Sequence, residues 1–204
     1  MNNPFLIGDR IYLRQVTRED AENYYYWLND QETTKWMQRG IYPTGVEDCR
    51  SYVESMQGKD GMLLAIVRKG EEIPKYKCSL NDKALNKYLA EVGEKCSIHI
   101  GNITLLSIHP TFRTAEISII IGDKQSRGNG YGTEAIRLLV DHCFTRMNLN
   151  RLQAGAVVDN IGSTKAFEKA GFQQEGVLRQ AYYCEGEYQD VCVMSILKSD
   201  WRKE

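Results

Sequence analysis

The sequence predicts a mixed α/β (α+β) fold, with a central, mostly antiparallel twisted sheet of about seven strands that carries helices on both faces. Two observations predict it. A strand pattern and two helical patterns are followed by a run of strands and then by a β-α-β-α-β-β succession. The later β-α-β unit predicts parallel strands joined by a right-handed crossover, whereas short links elsewhere predict antiparallel pairs.

In the amino-terminal part, periodic segments alternate with turn residues. Ile11–Arg14 alternates apolar and polar side chains, as a strand does. Thr17–Asp20 and Thr44–Glu47 have the pattern that opens a helix, and Thr17 is the expected N-cap of the first. The apolar run Met62–Val67 predicts a buried strand. Residues 69–95 alternate in charge and predict a surface insertion, which is either a solvated excursion or a lid or partner surface.

The carboxy-terminal part carries the strongest patterns. An apolar stripe at helical spacing from Ile136 to Met147 predicts a long helix that faces the sheet. The other predicted elements are strands over Ser97–Ser107, Ala115–Gly122, Leu152–Val158 and Asp190–Leu197, a helix from about Gly162 to Ala170, and a strand from Phe172 that joins the last one through a hairpin at Cys184–Glu187.

Composition limits the kind of protein. The 204 residues suit one domain, and we expect residues 1–204 to form it. A formal net charge of -1 argues against nucleic acid or an anionic membrane as a partner. No apolar run reaches about 18 residues, and the first residues lack the layout of a signal peptide, so a cytoplasmic protein is expected. The six cysteines stand singly and the three histidines lack ligand spacing, so we expect reduced thiols and no metal.

The segment Arg127–Thr133 carries the chemical signal. It follows a predicted strand, opens a predicted helix and contains Gly128, Gly130 and Gly132 at alternate positions. Glycines let the backbone approach a ligand, and a helix amino terminus offers unpaired N–H groups with partial positive charge. With the charge of Arg127, the segment predicts a site for a phosphate-like anion. A glycine-rich turn that only links strand and helix is the structural alternative.

The spacing of the glycines narrows the class of ligand. A nucleoside-triphosphate loop needs a lysine before the Ser or Thr, and Gly132 precedes Thr133 here. A dinucleotide site has the spacing G-x-G-x-x-G and an acidic residue about 20 positions later. Here the spacing is G-x-G-x-G and Asp159 lies later than that offset, so a dinucleotide-binding domain remains the weaker alternative.

These residues resemble a known family. Arg127-x-x-Gly130-x-Gly132 resembles the Q/R-x-x-G-x-G/A pyrophosphate loop of the GNAT acetyltransferases. The resemblance covers nearly the whole chain outside residues 69–95, and it is nearest to the branch that holds ribosomal-protein alanine acetyltransferases and spermidine acetyltransferases. Its other matching segments are Asn160-x-x-Ser163, Ala166–Phe172, Gly176–Arg179, Gly186–Val191, Tyr12–Arg14 and Trp27–Asp30.

The resemblance implies acetyl-CoA as cosubstrate. The molecule would lie in a V-shaped opening between the strands that end near Gly122 and Val158. Its pantetheine arm would pair with the backbone of Ile119, Ile120 and Ile121. Its diphosphate would rest on the segment formed by Arg127, Gly128, Asn129, Gly130, Tyr131, Gly132 and Thr133. Asn160 and Ser163 would contact the far part of the pantetheine, although both residues also suit helix capping.

The implied reaction is direct attack of a neutral primary amine on the thioester. Glu116 is the candidate general base, acting through water, or else an exposed carboxylate at a strand end. A backbone amide near Ile120 or Ile121 would stabilise the oxyanion. Many relatives have a tyrosine where this chain has Phe167, which cannot donate a proton. Ser163 or solvent would then protonate the thiolate, or no acid is needed, and Phe167 is expected to pack near the thioester.

The acceptor amine is expected between residues 27–40 and 182–188. The candidate substrate residues there are Trp27, Asp30, Trp36, Tyr182 and Tyr183, although core packing and hairpin pairing explain the same aromatics. A protein N-terminal amine or an amino sugar ranks first as the acceptor, followed by a polyamine or an aminoglycoside. A non-catalytic CoA-binding module is the second alternative. An exposed sheet edge is compatible with a homodimer.

Overall fold

A computed structural model describes residues 3–58, 61–70 and 97–201. The predicted insertion lies outside the described residues from position 71 onward. The strands are β1 (Leu6–Ile7), β2 (Ile11–Gln15), β3 (Gln57–Gly58), β4 (Gly61–Arg68), β5 (Ile98–His109), β6 (Thr114–Ile121), β7 (Arg151–Val157), β8 (Gln173–Cys184) and β9 (Glu187–Leu197). The α-helices are α1 (Ala21–Leu28), α2 (Gln31–Thr34), α3 (Val46–Ser55), α4 (Tyr131–Thr145) and α5 (Ile161–Lys169).

The described strands form one sheet in the order β1-β2-β4-β5-β6-β7-β9-β8, and β3 pairs with β4. Every neighbouring pair is antiparallel except β6 and β7, which are parallel. The predicted mixed, mostly antiparallel sheet is therefore confirmed. It has nine described strands rather than about seven, because β1 and β3 contain only two residues each and show no periodicity in the sequence.

The two predicted helix starts differ in detail. The N–H of Thr17 donates to the Asp20 carboxylate at 2.7 Å, as a capping box requires, but the residues between them form a 3-10 turn and α1 begins at Ala21. Gly45 rather than Thr44 precedes α3, and its N–H donates to Asp48 at 2.9 Å. The first helix therefore begins one 3-10 turn later than the pattern indicates, and the second begins one residue later.

The parallel strands β6 and β7 diverge. Their pairing begins at Thr114–Arg151 and ends at Glu116–Gln153, although β6 continues to Ile121 and β7 continues to Val157. Beyond that point the backbone of β6 has no strand partner on the side of β7 among the residues that the structure describes. This divergence opens the sheet next to the loop that begins α4.

Alternation along β6 divides its side chains between two cores. Ile117, Ile119 and Ile121 belong to the larger core or pack against it, and this core lies under α4 and α5. Glu116, Ser118 and Ile120 lie on the opposite face, where a smaller core joins the sheet to α1 and α3. The predicted stripe of α4 is buried against the larger core through Ala135, Ile136, Leu139, Val140, Cys143 and Phe144. Burial of each large aliphatic side chain contributes about 1.5–3 kcal/mol.

Within residues 3–58, 61–70 and 97–201, four cysteines are buried free thiols: Cys49, Cys143, Cys184 and Cys192. No cluster of His, Cys, Asp and Glu side chains in this part of the chain has the arrangement of a metal site. No helix in the same part is long and apolar enough to span a bilayer.

Candidate active site

A cleft of about 580 Å³ lies at the open end of the β6–β7 divergence. Four segments form its walls: residues 32–37 from α2 onward, the end of β6, the loop that begins α4, and the first two turns of α5. The residues that line it are Glu32, Thr33, Lys35, Trp36, Met37, Ile119, Ile120, Ile121, Ser126, Arg127, Gly128, Gly130, Tyr131, Gly132, Thr133, Asn160, Gly162, Ser163, Lys165, Ala166 and Lys169. This volume falls in the range of small-molecule sites.

The loop before α4 has the backbone that a phosphate site requires. Gly128 and Gly130 have φ angles of 75° and 82°, in the left-handed region that favours glycine. A Cβ on Gly132 would lie 3.7 Å from the side chain of Ile119, in ordinary van der Waals contact, so the start of α4 lies close to β6 here. The amides of Tyr131–Thr133 begin the helix and have no partner in a preceding turn. The loop can therefore direct several N–H groups at one anion.

Asn129 is the exception within this loop, because it does not line the cleft. Its side-chain Nδ2 donates to the carbonyls of Gln125 at 3.0 Å and Arg127 at 3.1 Å. Its own carbonyl accepts from Arg10 Nη1 at 2.8 Å. Asn129 thus closes the loop on itself and presents no side-chain group to the ligand.

The guanidinium of Arg127 is bonded to protein groups. Its Nε donates to the carbonyl of Ile121 at 3.0 Å, and its Nη2 donates to Oγ1 of Thr33 at 2.6 Å. The carboxylate of Glu32 lies 3.6 Å from Nη1. Arg127 lines the cleft as predicted, but its charge is turned toward β6 and α2 instead of the loop amides.

The start of α5 faces the same cleft. Asn160 caps this helix, since its Oδ1 accepts from the N–H of Ser163 at 3.2 Å. The hydroxyl of Ser163 has no hydrogen-bond partner among the described residues, and it lines the cleft. Lys165 and Lys169 follow at helical spacing and make this wall positive. The sequence left open whether Asn160 and Ser163 cap the helix or face a ligand. In the structure they form the cap and also line the cleft.

Two predicted residues lie outside the cleft. Glu116 occupies the last position of β6 that pairs with β7 and is half-buried, and its side chain makes no hydrogen bond or ion pair with the described part of the chain. Phe167 is 2% exposed and packs edge-on against Phe172, with ring centroids 5.0 Å apart. It belongs to the larger core because it lies on the sheet-facing side of α5, whereas Ser163 and Ala166 face the cleft. Phe167 thus does not line the cleft, and its packing near the thioester stays a prediction.

Of the predicted substrate residues, only Trp36 lines the cleft. Lys35 lies over its ring, 4.6 Å from the centroid, and pairs with Glu185 of the β8–β9 turn at 3.0 Å. Tyr182 is half-buried on β8, and Tyr183 is exposed and packs against Tyr188 across the hairpin. The hairpin therefore meets the cleft wall through an ion pair, not through its tyrosines.

Trp27 and Asp30 support the wall from behind. Trp27 lies against Gly122 so closely that a Cβ there would be 1.9 Å from the indole, which only glycine permits. Asp30 caps α2 by accepting from the N–H of Thr33 at 3.2 Å, and it pairs with Lys124 at 3.1 Å. Hydrogen bonds from Thr33 and Lys124 lower the pKa of Asp30 below its ordinary value.

Sequence reasoning missed several residues of the cleft: Thr33, Lys35, Met37, Lys165 and Lys169. The two lysines of α5 had a usable signal, because they lie four residues apart and therefore on one face of the helix that Asn160 begins. The residues around α2 had none, since a four-residue helix shows no period and its position depends on distant side chains.

Comparison with known proteins agrees with this geometry. Residues 10–173 match the family model of the acetyltransferase (GNAT) domain. The chain is 32% identical over 126 residues to a spermidine N(1)-acetyltransferase of Vibrio cholerae, covering 62% of this chain and 71% of that protein. It is 27% identical to a putative ribosomal N-acetyltransferase of Bacillus subtilis, YdaF, over 97% of both proteins. The crystal structure of a probable acetyltransferase superposes with a TM-score of 0.74 at 25% identity, covering 97% of this chain and 99% of that one.

These matches set aside the dinucleotide-binding domain and the non-catalytic module, because the family model spans most of the chain and the relatives are named as N-acetyltransferases. The solved structure shares the mixed α/β fold that the sequence predicted. The chain therefore belongs to the GNAT acetyltransferase family and is an acetyl-CoA-dependent N-acetyltransferase.

Proposed function

We propose that the chain transfers the acetyl group of acetyl-CoA to a primary amine by direct nucleophilic attack in this cleft. One observation carries the proposal: the unpaired edge of β6 and the amide-rich start of α4 open into the same cleft. An extended amide-containing arm and a diphosphate need these two features side by side.

The proposed contacts give acetyl-CoA a single orientation in the cleft. Its diphosphate binds the N–H groups from Gly128 to Thr133, and its pantetheine amides pair with the edge of β6 at Ile119–Ile121. Lys165 and Lys169 add positive charge on the opposite wall. The thioester then lies toward Glu116, where β6 and β7 begin to separate.

Catalysis needs a base, an oxyanion donor and a leaving group. Glu116 accepts the proton of the acceptor ammonium through water, which its lack of any other partner among the described residues supports. The free amine attacks the carbonyl carbon, and a backbone N–H near Ile120 or Ile121 stabilises the tetrahedral oxyanion. The C–S bond then breaks, the attacking nitrogen releases its second proton to water, and CoA leaves as a thiolate, which takes up a proton from water because its conjugate thiol has a pKa of about 8.5. The hydroxyl of Ser163, free of other partners, donates to that sulfur.

The acceptor is a protein N-terminal amine or an amino sugar. A polyamine carries several positive charges and needs several unpaired carboxylates. Around this cleft, Asp30 and Glu32 are both paired with Lys124, and Glu185 is paired with Lys35. These three carboxylates are thus already neutralised, whereas the side chain of Glu116 has no partner in the described part of the chain, which supports an acceptor with one cationic amine.

A panel of amines tests the proposal. Release of CoA is followed with a thiol reagent in the presence of acetyl-CoA and either an alanine-terminated peptide, an amino sugar or its nucleotide conjugate, spermidine, or an aminoglycoside. We expect release with the peptide or the amino sugar. The absence of amine-dependent release across the panel would contradict the proposed function, and a preference for spermidine would contradict the acceptor class.

Substitution of the proposed base gives a second test. Glu116→Gln keeps the size of the side chain, and we expect kcat to fall by about 10²–10⁴-fold because the ammonium loses its proton acceptor. The affinity for acetyl-CoA, measured by calorimetry, should stay the same. Activity should recover as pH rises, since more of the amine is then neutral. Glu168→Gln on the exposed side of α5 is the control, and an unchanged kcat in Glu116→Gln would remove Glu116 as base.

A further inference from the structure

The side chain of Arg127 connects three segments that meet at the cleft. Its backbone belongs to the loop that begins α4, its Nε bonds the carbonyl of Ile121 at the end of β6, and its Nη2 bonds the hydroxyl of Thr33 in α2. The distances are 3.0 Å and 2.6 Å, so both are well-formed hydrogen bonds. Each of the three segments lines the cleft.

The contact with α2 is part of a longer chain of hydrogen bonds. Oγ1 of Thr33 accepts from Arg127 and donates to the carboxylate of Asp30. Lys124, from the same loop, pairs with Asp30 at 3.1 Å and with Glu32 at 2.7 Å. Two cations of the loop before α4, Lys124 and Arg127, thus contact Glu32 of α2 and, directly or through Thr33, the N-cap residue Asp30.

The helix α2 depends on these contacts. It contains four residues, and a helix of this length is not stable without tertiary contacts. It leads directly into Lys35, Trp36 and Met37, which form one wall of the cleft. The position of that wall is therefore set in part by the loop that begins α4.

We propose that Arg127 is a positioning residue, which couples the binding of acetyl-CoA at the loop to the order of the wall formed by residues 32–37. The proposal rests on the proposed function in one respect, that the cleft takes acetyl-CoA. When the diphosphate fixes the loop amides, the backbone of Arg127 is fixed with them, and its guanidinium holds Thr33 and the wall behind it. Because such coupling is reciprocal, an ordered wall also favours acetyl-CoA binding.

The geometry argues against a direct bond from this guanidinium to the diphosphate. Two of its three nitrogens already donate to Ile121 and Thr33, and the third faces the Glu32 carboxylate at 3.6 Å. A carboxylate at that distance repels an approaching anion. The amides of the loop remain free for the diphosphate.

Two substitutions separate positioning from phosphate binding. Arg127→Lys keeps the charge but loses the planar fork that reaches Ile121 and Thr33 together. Thr33→Val removes the acceptor on α2 and leaves the loop intact. Arg113→Met is the matched control, because Arg113 bonds the carbonyl and side chain of Asn148 at 2.8 and 3.1 Å outside the cleft.

Hydrogen exchange of amides 33–37 is the first readout, and it needs no ligand. In the free protein, we expect faster exchange in Arg127→Lys and in Thr33→Val, by about 3- to 10-fold for the loss of one hydrogen bond, and no change in Arg113→Met. Thr33→Val also removes the hydrogen bond from Oγ1 of Thr33 to Asp30, so the double variant should exchange no faster than Thr33→Val alone, in which Arg127 has already lost its partner on α2. Wild-type rates in both single variants would overturn the proposal.

Affinity for two acetyl donors is the second readout. Acetyl-pantetheine lacks the diphosphate that fixes the loop, so Arg127→Lys and Thr33→Val should each raise the Kd of acetyl-CoA and leave the Kd of acetyl-pantetheine near its wild-type value. A loss confined to acetyl-CoA in Arg127→Lys, with wild-type exchange at residues 33–37, would make Arg127 a phosphate ligand and overturn the proposal. If the wild-type protein binds neither donor while the exchange result holds, the proposed function fails and the link between the loop and α2 stands.

Discussion

The two faces of the sheet are stabilised by different kinds of contact. Under α4 and α5 the buried side chains are almost entirely apolar, and Leu139, Val140 and Phe144 of α4 are at most 1% exposed. Under α1 the core also contains a buried ion pair, Arg14 with Asp20, whose side chains are each 8% exposed. The first face supports the loop that begins α4, which we propose binds acetyl-CoA and call the cofactor side. The second supports the cleft wall formed by residues 32–37, which we propose faces the acceptor amine and call the acceptor wall or acceptor side.

The polar network under α1 is centred on the carboxylate of Asp20. Nη1 and Nη2 of Arg14 donate to the two carboxylate oxygens of Asp20 at 2.6 and 2.8 Å. Nδ1 of His99 lies 3.2 Å from the same carboxylate, and its Nε2 lies 2.9 Å from Oδ1 of Asn102. Burial alone would raise the pKa of Asp20, but the hydrogen bonds from Arg14 and His99 lower it below its ordinary value.

This difference bears on how each half of the site is positioned. Apolar packing tolerates exchange of similar side chains, whereas a buried charge network fixes one arrangement only when every member is present. His99 joins that network to Trp27, since the two rings meet edge to face at 4.9 Å. Trp27 in turn lies against Gly122 beside the cleft. The acceptor side should therefore be more sensitive to single polar substitutions than the cofactor side.

The largest effect is expected from Asp20→Asn. The substitution removes the Asp20 carboxylate from its buried ion pair with the guanidinium of Arg14, and breaking a buried pair typically costs about 3–5 kcal/mol. Because the folded pKa of Asp20 is lowered, its contribution is present above the unfolded pKa of about 3.9 and is lost as pH falls through the folded value. The difference in unfolding free energy from wild type should thus be full at pH 7 and shrink below about pH 4. Urea unfolding at several pH values measures it.

Glu22→Gln is the control for this substitution. Glu22 also lies on α1, but its side chain is 68% exposed and its ion pair with Arg50 spans 3.9 Å. We expect almost no change in unfolding free energy, as for most exposed pairs. If Asp20→Asn changed the unfolding free energy as little as Glu22→Gln, the buried pair would not stabilise the α1 face, and the proposed difference between the two faces would be wrong.

The next largest effect is expected from Leu139→Ala on the other face. Leu139 is 0% exposed, and the cavity left by a buried leucine costs about 2–5 kcal/mol. No titratable group changes, so the loss should be the same at pH 7 and pH 4. Stability should fall, but the KM for the acceptor should stay at its wild-type value, because the acceptor wall packs on the other core. A loss that varied with pH as in Asp20→Asn would contradict the comparison.

The cofactor side of the molecule was predictable because its signals are local. The β-branched run Ile117–Ile121, the three glycines and the apolar stripe from Ile136 onward lie within one stretch of the chain. Each feature dictates its own backbone by period, φ angle or helix start, and the structure has β6, the loop and α4 in that order. The backbone of the site therefore followed from short-range rules.

The acceptor side was less predictable because its contacts join distant residues. Nothing near Arg127 in the sequence indicates that its guanidinium bonds Thr33, 94 positions earlier. The same holds for the pairs Lys35–Glu185 and Asp20–His99, which form only when the sheet brings α2, α1 and the hairpin together. The homodimer, the single-domain boundary and the cytoplasmic location remain predictions.

The smallest effect on stability is expected from Glu175→Gln, which tests how burial changes the stability that an Arg–carboxylate pair contributes. Arg151 donates to both carboxylate oxygens of Glu175 at 2.7 and 2.5 Å, the same fork as in the Arg14–Asp20 pair, but Glu175 is 42% exposed. Hydrogen bonds from Arg151 and Ser195 lower its pKa to about 2. Its contribution is therefore present above the unfolded pKa of about 4.3 and is lost as pH falls toward 2.

The thermal midpoint of Glu175→Gln should lie slightly below wild type at pH 7, and the gap should narrow as pH falls from about 4.3 to 3. Glu54→Gln, which removes an exposed ion pair with Arg18 at 3.3 Å, is the control for loss of surface charge. Both forks have two short hydrogen bonds, so geometry alone would give Glu175→Gln and Asp20→Asn equal costs. A much smaller loss in Glu175→Gln would show that exclusion of water makes the Arg14–Asp20 pair important, because water can solvate Arg151 when its partner is removed but cannot reach Arg14.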